Sequence, residues 1–171
     1  MGINKNHQFI TKKCLAIVYY LEEKMRTYGR ISICSDEKRS FDIDKLQRIL
    51  YFSQIENMKR TGFPLFKDDF YAWPQGPVIP NLNIGIQFQE FRFGDKERYV
   101  TQEEIDVIDS VFEVTKDINI NMGEELFCQT ETPWYKCYCN KGCFKLINKK
   151  ELFEYYVDDS VLKQKTNILS K

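Results

Sequence analysis

Asp44–Pro80 reads DKLQRILYFSQIENMKRTGFPLFKDDFYAWPQGPVIP, and this stretch sets the architecture. In its first half Leu46, Ile49, Leu50, Tyr51, Phe52, Ile55 and Met58 recur at helical spacing, as does Ile43 just before it. They cover more than one stripe, and a helix apolar on several sides is usually central, with neighbours all round. Ser40 or Asp42 can cap its start, and Gly62 with Pro64 ends it. The second half, Phe63–Pro80, is expected to be a structured loop. Pro64, Pro74, Pro77 and Pro80 remove backbone donors and disfavour helix at the residues before them. Within it, Phe70–Trp73 suits a short helical or extended piece.

Working outward, Ile10, Cys14, Ile17, Val18, Leu21 and Met25 lie on one face of a helix predicted over about Gln8–Tyr28, with Gly29 as its stop. Ile31–Arg39 reads as a polar connector. Asn81–Phe91 fits either helix or strand, and Gly94–Asp95 reads as a turn. Three later starts carry a capping-box pattern: Thr101 with Glu104, Asn121 with Glu124 (running to about Gln129), and Asn148 with Glu151. Val100 with Ile105, and Ile147 with Leu152, are placed as hydrophobic staples across the first and last of these. Strand candidates lie near Arg98–Val100 and Phe144–Ile147. The tail 160–171 is expected to be frayed or loosely docked. The fold class is therefore mainly α: residues 1–171 as a single compact domain of five or six helices, with a Pro-rich central loop and at most a short β-hairpin.

Composition narrows the function classes. With 43% apolar and 15% aromatic residues in 171, the chain can bury a core without metal or disulfide staples. Its 25 basic and 25 acidic residues cancel, so no global attraction to nucleic acid or anionic membrane is expected. MGINKNHQFITKKC lacks the long apolar run and small-residue cleavage site of a signal peptide, and no stretch approaches a membrane span. A cytoplasmic location is expected, with the six cysteines as free thiols.

Catalytic material is sparse. A cysteine nucleophile needs a base to make thiolate, and the chain has one histidine, His7, near its amino terminus. Cys137-x-Cys139-x3-Cys143 gathers three thiols with Cys128 nearby, but the spacing is too tight for a zinc knuckle and no second pair follows. The expected role is a loop with two or three partly buried thiols around Gly142. The pairs Glu103–Glu104 and Glu124–Glu125 sit in predicted first turns, where acids suit the positive helix end. No phosphate-binding glycine motif occurs. No enzyme activity, cofactor or metal is expected. Trp73-Pro74-Gln75-Gly76-Pro77 and Pro133-Trp134 instead place large rings beside rigid turns. Two readings stand: rings pinning loops to the core, or an interaction surface anchored by aromatics.

The signature region 44–134 resembles the Panacea antitoxin-like (SocA-like) family. Lys45–Gln54 (KLQRILYFSQ) looks like that family's KLQKLLYFAQ helix, and Gly62-Phe63-Pro64-Leu65-Phe66 resembles its G-x-PLF turn. Phe70–Val78 is similar to its EAWxxGPV loop, and Glu131-x-Pro133-Trp134 to the end of its THxExPW motif. Cys128-Gln129 replaces the family's Thr-His, and Tyr71 replaces the Glu before Ala-Trp. The resemblance implies an antitoxin that neutralises a cognate toxin by direct protein binding. It leaves open a proteolysis adaptor, with a protease or chaperone as further partner, or a prophage-associated small enzyme or ligand-binding domain. The candidate binding residues are Tyr71, Trp73, Gln75, Gly76, Pro77 and Trp134.

Overall fold

The computed structural model describes residues 10–28, 36–85, 96–117 and 128–157. The fold is mainly α, with one small antiparallel sheet. The first helix, α1, spans Lys12–Thr27 and starts later than Gln8, because Thr11 stops it. The Thr11 hydroxyl accepts from the Cys14 amide at 3.2 Å, and the Thr11 amide donates to Asp68 Oδ1 at 2.9 Å. Tied to Asp68, Thr11 stays extended and acts as the cap.

The central helix, α2, spans Asp36–Thr61 and is about 39 Å long at 1.5 Å per residue. It begins before Ser40 and Asp42, so part of the expected connector is helical. As its all-round apolar character implied, α2 contacts several neighbours: α1, the hairpin, and the later helices α5 and α7 described below. Leu46, Ile49, Leu50, Tyr51, Ile55 and Met58 are all buried along it. Tyr51 meets Phe70 edge-on at 5.2 Å between ring centres.

Phe70–Trp73 resolves as extended. Strand β1 (Tyr71–Trp73) pairs with β2 (Gly76–Val78) through the two-residue turn Pro74–Gln75, in the register Tyr71–Val78, Ala72–Pro77, Trp73–Gly76. Gly76 has φ +128°, open to glycine alone at little cost. Pro77, which cannot donate to a ladder, sits on an edge strand. A third strand, β3 (Lys145–Leu146), joins β1 on its other side and enlarges the expected hairpin to the order β2-β1-β3. The amides of Phe144 and Ile147 complete the pairing, on Ala72 O at 2.7 Å and Phe70 O at 2.9 Å.

After β2, the short helix α3 spans Pro80–Gly85, and α4 spans Lys96–Tyr99. The strand expected at Arg98–Val100 is therefore absent there. Val100 is instead buried as the residue before the Thr101 cap, which fits its staple role. Helix α5 (Gln102–Thr115) carries the expected capping box: the Glu104 amide on Thr101 Oγ1 at 3.3 Å, and the Thr101 amide on Glu104 Oε2 at 3.0 Å.

Pro133-Trp134 opens a helix. The helix α6 (Pro133–Lys136), capped by Thr132 with Pro133 at its first position, runs into a π-helical turn over Cys137–Lys141. The last helix, α7, spans Lys149–Tyr156. Asn148 caps it through the Lys150 amide at 2.8 Å, while Glu151 binds Lys141 at 2.8 Å. A flanking lysine thus takes the carboxylate that the capping-box pattern assigned to the helix start. Ile147 and Leu152 are both buried. The expected features at His7, Gly29, Gly94–Asp95 and Asn121–Glu124, and the tail beyond 157, lie outside the described residues.

Candidate functional site

The hairpin is mounted on α2 by two buried glutamines. Gln47 and Gln54 lie seven residues apart, two turns along one helix face. Gln47 Oε1 accepts the Ile79 amide at 2.9 Å, and its Nε2 donates to Ile79 O at 3.1 Å. Gln54 Oε1 accepts the amides of Leu65 and Phe66 at 2.8 and 3.1 Å, and its Nε2 donates to Phe66 O at 3.1 Å. Both amides are almost fully buried (1% and 0% exposed). Loop backbone at that depth must find partners, and these side chains supply them at both ends of the segment 65–79.

Trp134 supports the hairpin from the second half of the chain. Its ring is buried, stacks on Tyr138 at 5.0 Å and 11°, and donates its indole N–H to Trp73 O at 3.1 Å. Ala72 is buried while Tyr71 and Trp73 on either side are half-exposed, so these two rings share the outward face of β1. Leu146, opposite Tyr71, shares that face and is 44% exposed. Phe144, 59% exposed, meets Trp73 edge-on at 5.2 Å and 83°. Phe144 has φ +62°, the left-handed region that a bulky residue rarely occupies. The result is a contiguous apolar face of Tyr71, Trp73, Phe144 and Leu146.

The six candidate residues fall into two groups. Tyr71, Trp73 and Gln75 are half-exposed at the hairpin surface, whereas Gly76, Pro77 and Trp134 are buried beneath it. The residues that sequence reasoning missed are Phe144 and Leu146, brought in by a strand pairing 73 to 75 residues away in sequence. It also passed over Gln47 and Gln54, whose signal was present: two amides at a seven-residue spacing inside an apolar helix.

The thiols divide differently from expectation. Cys137 is buried, and its S–H points at the carbonyls of Leu146 (3.3 Å) and Lys145 (3.6 Å). Burial pushes its pKa up, which keeps it a thiol. Cys139 and Cys143 are exposed. The Tyr138 hydroxyl hydrogen-bonds Cys143, and that bond raises the tyrosine pKa. Among the described residues no group of three or more His, Cys, Asp or Glu side chains is placed to hold a metal ion. Nor, among them, is any helix long and apolar enough to cross a membrane.

Fold and site together define a helical scaffold domain that presents a braced aromatic hairpin. The chain belongs to the family described as "Antitoxin SocA-like, Panacea domain", whose model matches residues 46–135, just over half of the 171 residues. The matched span runs from the middle of α2 through the hairpin to α6, and so contains both glutamine clamps and the Trp134–Trp73 bond. Comparison with curated proteins returned no match, and comparison with solved structures returned none.

Proposed function

We propose that this chain is the antitoxin of a toxin–antitoxin pair, and that it neutralises its cognate toxin by direct protein–protein binding at the Tyr71–Trp73–Gln75 face. The reading is of a single non-enzymatic domain acting in the cytoplasm. One observation carries it: Trp73 and Phe144 stand in edge contact on a sheet braced from below by Gln47 and Trp134. Exposed rings held this way lose little conformational freedom on binding, and large aromatic anchors dominate many interfaces. Gly76, Pro77 and Trp134 serve from beneath, by shaping the turn and holding Trp73.

Co-expression with the product of an adjacent toxin-like reading frame tests the proposal. Wild type is expected to restore growth, and Trp73→Ala, folded by circular dichroism, is expected to fail. A truncated anchor costs roughly 2 kcal/mol, or about thirtyfold in affinity. Full rescue by Trp73→Ala, or none by wild type, defeats the reading. Immunoblotting the toxin separates mechanisms: a constant level supports occlusion, and a falling level supports delivery to a protease.

A further inference from the structure

A second surface feature is formed by residues other than those of the hairpin face. A groove of about 500 Å³ lies between the end of α2, the turn after it and the first turns of α5. Asn57, Phe63, Pro64, Glu103, Asp106 and Val107 are among its lining residues. Asn57 is 4% exposed. Its Nδ2 donates to Phe63 O at 2.8 Å and to Thr61 Oγ1 at 3.2 Å, which fixes the orientation of the amide. Its Oδ1 is then a buried acceptor that no donor reaches. Such an atom is desolvated without return, and a donor arriving from outside would correct that.

The rest of the groove says which donor. Phe63 is 70% exposed, and Pro64 beside it is also exposed. Glu103 and Asp106 are exposed carboxylates, and among the described residues neither lies in an ion pair. Glu104 is committed to Lys13 and to the Thr101 amide. The cation in the lining, Arg60, is held by Glu56 and by Ser110, each at 2.8 Å. What faces the groove is therefore negative. The positive end of α5 is already met by the Thr101–Glu104 capping box.

We propose that this groove receives an arginine side chain of a partner polypeptide. A guanidinium N–H would satisfy Asn57 Oδ1, and Glu103 with Asp106 would balance its charge. The guanidinium plane and aliphatic stem would lie against Phe63 and Pro64. Arginine suits this better than lysine because it offers five donors in a plane that stacks on a ring.

The test is an NMR titration of the full-length, 15N-labelled chain with the peptide acetyl-Ala-Arg-Ala-amide, and with acetyl-Ala-Gln-Ala-amide as its neutral counterpart. The expected result is saturable shifts of the Asn57 side-chain amide and the Gly62 backbone amide with the arginine peptide alone. Glu103→Gln with Asp106→Asn should weaken binding about fivefold, as two exposed charge contacts imply. Phe63→Ala should weaken it about threefold. Trp73→Ala should leave it unchanged, so the groove and the hairpin face succeed or fail separately. Equal shifts with both peptides, a response that never saturates, or binding that survives the double charge substitution would overturn the assignment.

Discussion

The indole N–H of Trp134 donates to the carbonyl oxygen of Trp73 at 3.1 Å, across 61 residues of sequence. This bond joins the two tryptophans by function as well as by space. Trp134 is 4% exposed and spends its one polar group on the backbone of the hairpin. Trp73 carries the ring that reaches the surface and meets Phe144. One tryptophan is a support and the other is presented by it.

Trp134→Phe separates the bond from the ring. The phenyl keeps an aromatic surface against Tyr138 but cannot donate, so the loss should be about 1 kcal/mol. Trp134→Ala also empties core volume and should cost about 3–5 kcal/mol. Urea unfolding at fixed pH measures both. If Trp134→Phe unfolds at the wild-type midpoint, the bond contributes nothing to the fold.

The features legible in the sequence are those whose causes are local. The apolar pattern of α2 implied a central helix, and α2 does contact α1, α5, α7 and the hairpin. The Thr101–Glu104 box formed because both partners lie within four residues. The illegible features depend on distant or competing partners. β3 falls inside the strand candidate Phe144–Ile147, but its partner β1, more than 70 residues away, could not be read from that segment. α1 starts late, at Lys12, because Asp68 holds the Thr11 amide. Glu151 was free in sequence to complete a capping box, but the fold sets Lys141 beside it. Phe144 belongs to the exposed face through such a contact, and its immediate neighbours carry no sign of it.

Gln47 and Gln54 should be more sensitive than any apolar neighbour of similar size. Replacing either by Leu adds apolar volume, which would stabilise a simple core, but strands buried backbone groups. At about 1 kcal/mol or more per group left unsatisfied, Gln54→Leu strands three and Gln47→Leu at least two. Gln54→Leu should therefore cost about 3 kcal/mol or more, and Gln47→Leu about 2 or more. Urea midpoints measure both. A loss below about 1 kcal/mol in either variant would mean that the loops find other partners.

Stability should fall in alkali through a tyrosine pair. The hydroxyls of Tyr51 and Tyr156 adjoin in the interior, and neither makes a well-formed hydrogen bond. Burial, the largest cause, raises Tyr51 well above the ordinary 10.0 and pushes Tyr156 up to about 12. The folded state holds these protons more tightly than the unfolded state does. Their contribution is thus fully present below about pH 10 and is lost as pH rises toward 12. Unfolding midpoints should stay level to about pH 10 and then drop, and the drop should be smaller in Tyr51→Phe and Tyr156→Phe. Near neutral pH, Tyr51→Phe should be neutral or slightly stabilising, since it removes a buried hydroxyl lacking a good partner. An undiminished alkaline drop in both variants would place its cause elsewhere.

Phe144 offers the sharpest separation of stability from function. Its φ of +62° costs a bulky residue about 1 kcal/mol that glycine does not pay. Against this, the edge contact with Trp73 contributes about 0.5–1.5 kcal/mol, and the ring is 59% exposed, so little burial is lost with it. Phe144→Gly should leave stability within about 1 kcal/mol of wild type. Phe144→Asn should behave similarly, because Asn tolerates the left-handed region. If the Trp73 face binds the toxin, both variants should neutralise less well despite being folded. A conformationally unfavourable phenylalanine kept at the surface is then explained by what it touches outside the chain. Urea unfolding gives the first quantity and growth under toxin co-expression the second. Loss of more than about 2 kcal/mol in Phe144→Gly would mark the ring as structural, and full neutralisation by both variants would remove it from the interface.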